Sequence, residues 1–147
     1  MKKALLILVV VMATITTSKA LFHFWDIQEL FTSADGNVQF IEFFTTTPNQ
    51  EFLATHTLLS IDSGATQTNT FNFLTDLSGF STANRSFLMA TAGFGSLPGG
   101  VTSDYVLPAD FLFAGGGTVN FGEGADVLVY ASLPTDGVSS YYRARTN

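Results

Sequence analysis

Short apolar runs separated by turn-forming residues make up most of the chain after residue 20, and almost none of them has a helical period. Each run is rich in aromatic and β-branched residues, which is typical of β-strands. Glycine, proline, aspartate or asparagine flanks each run, and these residues favour turns. Strands are therefore predicted at residues 22–31, 38–44, 52–61, 71–74, 86–91, 105–107, 118–121, 127–131 and 138–143.

The segment Ser33-Ala34-Asp35-Gly36-Asn37 lies between the first two predicted strands and contains an Asp-Gly pair. This pair is a strong signal for a tight turn, so the two strands are expected to form an antiparallel hairpin. The polar stretch that ends at Asn69 is expected to be a loop, and residues 110–114 form at most a single helical turn. Parallel βαβ units need crossover helices, for which the chain offers no room. The pattern therefore predicts an all-β sandwich or barrel.

The first 20 residues have the composition of a secretory signal peptide. Two lysines precede the unbroken apolar stretch 4–12, and Ser18-Lys19-Ala20 resembles a small-x-small cleavage site. The alternative is an uncleaved anchor helix, but this stretch is shorter than the roughly 18–20 residues that cross a bilayer. We expect a signal peptide at 1–20 and one domain at 21–147. The mature protein is then secreted or extracytoplasmic, with no membrane insertion after signal cleavage.

Composition and charge exclude several classes of protein. The 147 residues are 46% hydrophobic and 12% charged, and the 15 phenylalanines argue against intrinsic disorder. The absence of cysteine excludes disulfides and thiolate chemistry. After residue 20, three arginines stand against all 12 acidic residues, which argues against binding to nucleic acid or anionic membranes. Asn84-Arg85-Ser86 fits the glycosylation acceptor pattern, which often arises by chance.

Two pairs of segments resemble a known family. Ile27-Gln28-Glu29-Leu30 followed by Gln39-Phe40-Ile41-Glu42-Phe43 is similar to the opening of lamin-tail-like domains. Gly117-Thr118-Val119-Asn120-Phe121 followed by Asp126-Val127-Leu128-Val129-Tyr130 resembles the late hairpin of that family. The chain departs from the pattern at Gln28, where Asn is usual, and at Phe43-Phe44-Thr45, which replaces a Leu-aromatic-Asn ending. The resemblance implies an immunoglobulin-like antiparallel β-sandwich of about eight strands, used as an exported interaction module without a common catalytic residue set.

Glu29 and Glu42 lie on the two strands of the predicted hairpin, so their carboxylates are candidates for close neighbours. Two close carboxylates can differ in pKa and act as general acid and base, as in glycosidases. Alternatively, they accept hydrogen bonds from backbone or hydroxyl groups, or face solvent on opposite sides. Like charges directly opposite each other destabilise a sheet, which argues against a close pair without a cation. The sequence therefore assigns no catalytic residue.

Other motifs are weak. A zinc site would need His23 and His56, the only histidines, to meet a carboxylate such as Asp26, and nothing in their spacing predicts this. The sequence has no Gly-x-Ser-x-Gly motif of serine hydrolases. Gly115-Gly116-Gly117 lacks the Gly-Lys-Ser/Thr ending of a phosphate-binding loop. Residues 121–128 nearly match one calcium-binding nonapeptide repeat, but a single copy has no neighbour to supply the remaining ligands.

Acidic and amide side chains in the predicted loops offer the hard oxygen atoms that calcium prefers. The simpler interpretation is that an acidic surface keeps an exported protein soluble. No cofactor is therefore predicted, calcium remains an alternative, and no metal ligand is assigned. The residues in or beside these loops are Asp35, Asn37, Asp104, Asp110, Glu123, Asp126 and Asp136.

Aromatic residues cluster near both ends of the predicted domain, with Phe22, Phe24 and Trp25 at one end and Tyr141 and Tyr142 at the other. Exposed aromatic side chains could bind sugars or a protein partner. Most of the phenylalanines in so small a chain must nevertheless form its core, and Trp25 is expected to be a core residue.

These observations favour an exported, non-enzymatic β-sandwich that binds a protein or cell-surface partner, and its acidic loops favour a cationic or cation-bridged one. A carbohydrate- or calcium-dependent binding module is the first alternative. A small secreted glycan hydrolase that uses Glu29 and Glu42 is the second.

Overall fold

The structure is a computed structural model that describes residues 22–79 and 81–144, so the predicted signal peptide at 1–20 lies outside the described residues. Within the described ranges, the chain is mostly strands in two packed sheets, with almost no helix, as predicted. None of the helices there is long and apolar enough to cross a membrane. The strands are β1 (Asp26–Thr32), β2 (Gln39–Thr45), β3 (Thr57–Asp62), β4 (Thr68–Asn72), β5 (Arg85–Thr91), β6 (Tyr105–Leu107), β7 (Gly117–Phe121), β8 (Asp126–Tyr130) and β9 (Tyr141–Tyr142).

The strands form a five-stranded sheet in the order β6-β5-β2-β1-β9 and a four-stranded sheet in the order β4-β3-β7-β8. The strand pairs are antiparallel as predicted, except that β5 and β6 are parallel. A parallel pair needs a crossover of a dozen or more residues. The segment 92–104 provides that length with a single turn of helix, α1 (Ala92–Gly95), instead of a full crossover helix.

The predicted hairpin between β1 and β2 is present. The Ser33 N–H donates to the Val38 carbonyl at 2.8 Å, and the Gly36 N–H donates to the Ser33 carbonyl at 3.1 Å. Gly36 has φ +67°, a left-handed conformation that glycine adopts without steric cost. The Asp-Gly pair therefore fixes the turn, and the turn fixes the register of the two strands.

The space between the sheets is filled mainly by aromatic rings. Phe43 of β2 stacks on Phe87 of β5 with ring centroids 4.4 Å apart, and it also meets Phe121 of the opposite sheet at 4.9 Å. Trp25 is buried with its ring edge-on to Phe87, and its indole N–H donates to the Gln50 carbonyl at 2.7 Å. The prediction that Trp25 is a core residue is confirmed. The expectation that most of the phenylalanines form the core is wrong, because the buried ones in the described ranges are only Phe22, Phe43, Phe73, Phe87, Phe111 and Phe121.

Several local predictions differ from the structure. The strands predicted from residues 22 and 52 begin only at Asp26 and Thr57. The polar stretch predicted as a loop through Asn69 already belongs to β4, which begins at Thr68. Residues 110–114 form turns instead of a helical turn, and the helical turn lies at Ala92–Gly95. The last strand spans only Tyr141–Tyr142 instead of residues 138–143. The sequence pattern misses the bounds of β4 and β9 because both are edge strands. An edge strand keeps polar side chains in water, so it lacks a clear apolar pattern.

One end of the sandwich is held together by Asp126 at the start of β8. Its carboxylate accepts hydrogen bonds from the Ile27 N–H at 2.6 Å and from both terminal nitrogens of Arg143 at 3.1 and 2.5 Å. Asp126 thereby joins three strands from two sheets, because Ile27 lies in β1 and Arg143 follows β9.

Candidate functional site

The outward surface of the five-stranded sheet combines carboxylates with aromatic rings. In β2, Ile41 and Phe43 point into the core, so the alternating residues Phe40, Glu42 and Phe44 point outward. The outward side chains, which together we call the acidic–aromatic face, are Glu29, Phe31, Phe40, Glu42, Phe44, Leu88, Val106 and Tyr142.

The register of the hairpin places Glu29 directly opposite Glu42. Residues directly opposite each other in an antiparallel pair point to the same side of the sheet with their Cβ atoms roughly 4.5–5.5 Å apart. Tyr142 lies beyond Glu29 and Leu88 beyond Glu42, so the two acids occupy the centre of a four-residue row. Glu29 and Glu42 are therefore cross-strand neighbours, as the sequence predicted.

Aromatic rings form the adjacent row of the face. Phe31 and Phe40 stack with centroids 5.4 Å apart and an interplanar angle of 6°, and Phe94 meets Phe40 edge-on at 5.4 Å. At the margins, Val106 is 62% and Tyr142 is 58% exposed. The face thus presents flat rings to solvent beside the two carboxylates.

Neither Glu29 nor Glu42 has a hydrogen-bond or ion-pair partner among the described residues. The two arginines of the described ranges are occupied elsewhere: Arg143 binds Asp126, and the Arg85 guanidinium donates to the Ser81 carbonyl at 3.0 Å. Two facing carboxylates without a cation repel each other, so this arrangement favours an external cation.

Two loop carboxylates, those of Asp35 and Asp136, are engaged by their own loops instead. Hydrogen bonds from the Ser33 hydroxyl and from Asn37 lower the pKa of Asp35 to about 2. Hydrogen bonds from the Ser139 hydroxyl and from backbone N–H groups lower the pKa of Asp136 to about 2. These aspartates therefore act as turn-forming residues.

The structure brings His23 and His56 together around the buried ring of Phe22, with ring centroids 4.1 and 3.4 Å from that ring. Glu123 holds His56 through a contact of 2.8 Å to Nδ1, and it accepts hydrogen bonds from the Thr57 N–H and hydroxyl at 3.0 and 2.9 Å. Partial burial raises the pKa of Glu123, but the hydrogen bonds from His56 and Thr57 outweigh it, and the pKa lies below its ordinary value.

Asp26, Glu123 and Asp126, which are candidates for metal binding in the sequence, have other partners in the structure. Within the described ranges, no group of three or more histidine and acidic side chains could hold a metal ion. Asp26 lies 3.8 Å from Arg143, and Glu123 and Asp126 bind His56 and Arg143. The repeat-like segment 121–128 is a strand end, a 3-10 turn at Gly122–Gly124 and the start of β8.

A cleft of about 390 Å³ lies at the end of the sandwich, where the β1–β2 hairpin turn meets the loop between β6 and β7. Its floor is the buried side chain of Gln39, whose amide donates to the Thr32 hydroxyl and the Leu112 carbonyl and accepts from the Leu112 N–H, each at 2.9 Å. The lining residues are Thr32, Ser33, Ala34, Gly36, Gln39, Gln67, Asn69, Asp110, Leu112, Phe113 and Ala114.

Sequence reasoning did not identify this cleft. Asp110 stands out in the sequence only as one of several loop acids, and no motif marks Gln39, Gln67 or Asn69 as ligand-binding residues. Their convergence depends on three separate segments of the fold, and no local spacing in the sequence signals it.

The arrangement of the two sheets is compatible with an immunoglobulin-like domain. Comparison with protein-family models, with curated proteins and with solved structures finds no match to this chain.

Proposed function

We propose that the protein is an exported interaction module that binds a cationic polypeptide partner through the acidic–aromatic face. The observation that carries this proposal is the Glu29–Glu42 pair, which lies between aromatic side chains and has no cation near it among the described residues. An arginine or lysine of a partner would relieve the repulsion between the carboxylates. Apolar residues next to that arginine or lysine would cover the aromatic rings of the acidic–aromatic face.

Charge and shape both support a basic partner over a second copy of the chain. Two copies meeting at this face would bring four carboxylates together, which costs free energy. An arginine guanidinium can instead donate to both glutamates and stack on an aromatic face. Interfaces are enriched in such aromatic and arginine contacts.

The proposal includes no catalytic role. Glu29 and Glu42 project from an open sheet surface, and the residues that line the cleft do not include them. General acid–base chemistry on a glycan needs a substrate held between the two carboxylates, and the neighbouring side chains here form a flat row instead.

The proposed family is the lamin-tail-like one. The segments that resemble it coincide with two antiparallel pairs of the sandwich, β1–β2 and β7–β8. The proposed location is outside the cytoplasm, because residues 1–20 have the composition of a signal peptide. Sequencing the N-terminus of the exported protein tests this location, and Leu21 is the expected first residue.

Binding to a defined peptide tests the proposed partner chemistry. A strand-length peptide that alternates arginine and valine is titrated against the protein, beside a peptide with glutamine in place of arginine. We expect binding only of the arginine peptide, and Glu42→Gln should weaken it about tenfold because one charge-assisted contact is lost.

The matched control is Glu51→Gln, which removes the same charge from a glutamate outside the face. It should leave the affinity unchanged. An equal loss in both variants would mean that net charge alone attracts the peptide, and equal binding of the glutamine peptide would also contradict the proposal.

A further inference from the structure

The cleft at the end of the sandwich is framed by rigid contacts. The Asp110 N–H donates to the Gly36 carbonyl at 3.1 Å, which joins the loop between β6 and β7 to the hairpin turn. The Asn69 amide donates to the carbonyls of Asp110 and Phe111 at 2.9 and 3.0 Å, which joins the same loop to β4. Together with the buried Gln39, these contacts tie the walls of the cleft to one another.

Three polar groups in the cleft have no partner within the part of the chain that the structure describes. The Asp110 carboxylate and the Gln67 side-chain amide are exposed and make no hydrogen bond there. The Asn69 side chain uses its N–H groups on the two carbonyls, so its oxygen is left to accept. Asp110 differs in this respect from Asp35 and Asp136, whose carboxylates their own loops engage.

These groups define the chemistry of a ligand. Two oxygen acceptors and an amide that both donates and accepts match the hydroxyl groups of a sugar. The mostly polar lining disfavours an apolar ligand, and the carboxylate disfavours an anion. A single carboxylate is too few for a tightly bound calcium ion. The volume of about 390 Å³ falls within the usual range of small-molecule sites, roughly 300–1,000 Å³.

We infer that the cleft binds a neutral saccharide of one or two rings, with Asp110, Gln67 and Asn69 as its hydrogen-bonding residues. Phe113 is half-buried and also lines the cleft. This site is separate from the acidic–aromatic face, so either can exist without the other.

Titration of the full chain followed by ¹H–¹⁵N NMR tests the inference. The probes are glucose, galactose, mannose, N-acetylglucosamine, cellobiose, lactose and chitobiose, each raised to tens of millimolar. At least one sugar should give saturable shifts at the amides of the cleft residues. Asp110→Asn should weaken its binding about tenfold, because a neutral amide replaces a charged acceptor and asparagine tolerates the left-handed backbone of this position, φ +57°.

Gln67→Ala is a second variant that should also weaken binding. Because Gln67 is exposed, we expect this substitution to leave the fold intact. Glu42→Gln is the control and should bind the sugar normally, whatever it does to the arginine peptide. Absence of saturation with every probe would overturn the inference. So would sugar-induced shifts outside the cleft, or shifts in the cleft produced by calcium chloride alone.

Discussion

The Asp110 carboxylate lies against Gly36 at the hairpin turn, where a side chain on residue 36 would point. A Cβ atom on Gly36 would lie 1.8 Å from the Asp110 Oδ1 atom, and Gly36 also has a positive φ of +67°. Replacement of this glycine therefore adds a steric clash to a backbone that other residues rarely adopt.

We expect Gly36→Ala to lower the free energy of unfolding by about 2–4 kcal/mol, as measured by urea denaturation. The matched control is Gly137→Ala, because Gly137 has a similar φ of +78° and open space around the new Cβ. The control should lose only about 1 kcal/mol, which is the cost of the backbone conformation. Equal losses in the two variants would show that the contact with Asp110 is unimportant.

Residue-level prediction from the sequence succeeded where the local signal was strong. The Asp-Gly pair predicted the hairpin and so placed Glu29 near Glu42, and the many aromatic residues of a small chain predicted the burial of Trp25. The partners of Glu123 and Asp126 were not predictable, because His56 and Arg143 are far from them in sequence. His56 reaches Glu123 through the pairing of β3 with β7, and Arg143 reaches Asp126 through the packing of the two sheets.

Most of the strands follow from the alternation of apolar and polar residues, because a strand with one face in the core must alternate. β4 shows the limit of that rule. Its burial alternates between exposed and half-buried, and its Thr and Asn side chains resemble a loop in composition. The parallel pair β5–β6 was equally hidden, since a three-residue edge strand carries no signal of its direction.

The Arg143 side chain adds to the attachment of β9, which also pairs with β1. This strand has two residues, and Arg143 next to it holds the mostly buried Asp126 in a two-pronged ion pair. Arg143→Ala leaves that carboxylate with the Ile27 N–H as its remaining partner, so we expect a loss of about 2 kcal/mol. Hydrogen exchange should show faster exchange in β9 and at the start of β1.

Arg85→Ala is the control for this prediction. Arg85 is exposed, and its guanidinium donates to a single carbonyl of the described residues, that of Ser81, so its removal should change stability by less than about 0.5 kcal/mol. If the two variants are equally stable, the ion pair with Asp126 does not hold β9.

At the scale of the whole molecule, the loop carboxylates set the response to acid. Asp35 and Asp136 have a pKa of about 2 in the folded protein, against an ordinary value of 3.8, and Asp62 and Glu123 are shifted in the same direction. A depressed pKa in the folded state stabilises the protein above the unfolded pKa. That contribution disappears as the pH falls from about 4 towards 2.

We therefore expect the free energy of unfolding to fall steadily between pH 5 and pH 2, as measured by urea denaturation at each pH. The Asp35→Asn/Asp136→Asn variant should show a shallower fall, because two of the titrating groups are gone while asparagine still favours the turns. The same slope in the variant and in the original protein would contradict the assignment of the acid sensitivity to these loops.

The two sheets end very differently. The edge strands of the five-stranded sheet are β6 and β9, which have only three and two residues. The edge strands of the four-stranded sheet are β4 and β8, which have five residues each. β8 also carries Val127 and Val129 at 46% and 69% exposure. Long apolar margins recruit strands from other molecules, whereas very short or polar ones resist this. When the protein aggregates at high concentration or on heating, we therefore expect strands of other molecules to add at the β8 edge.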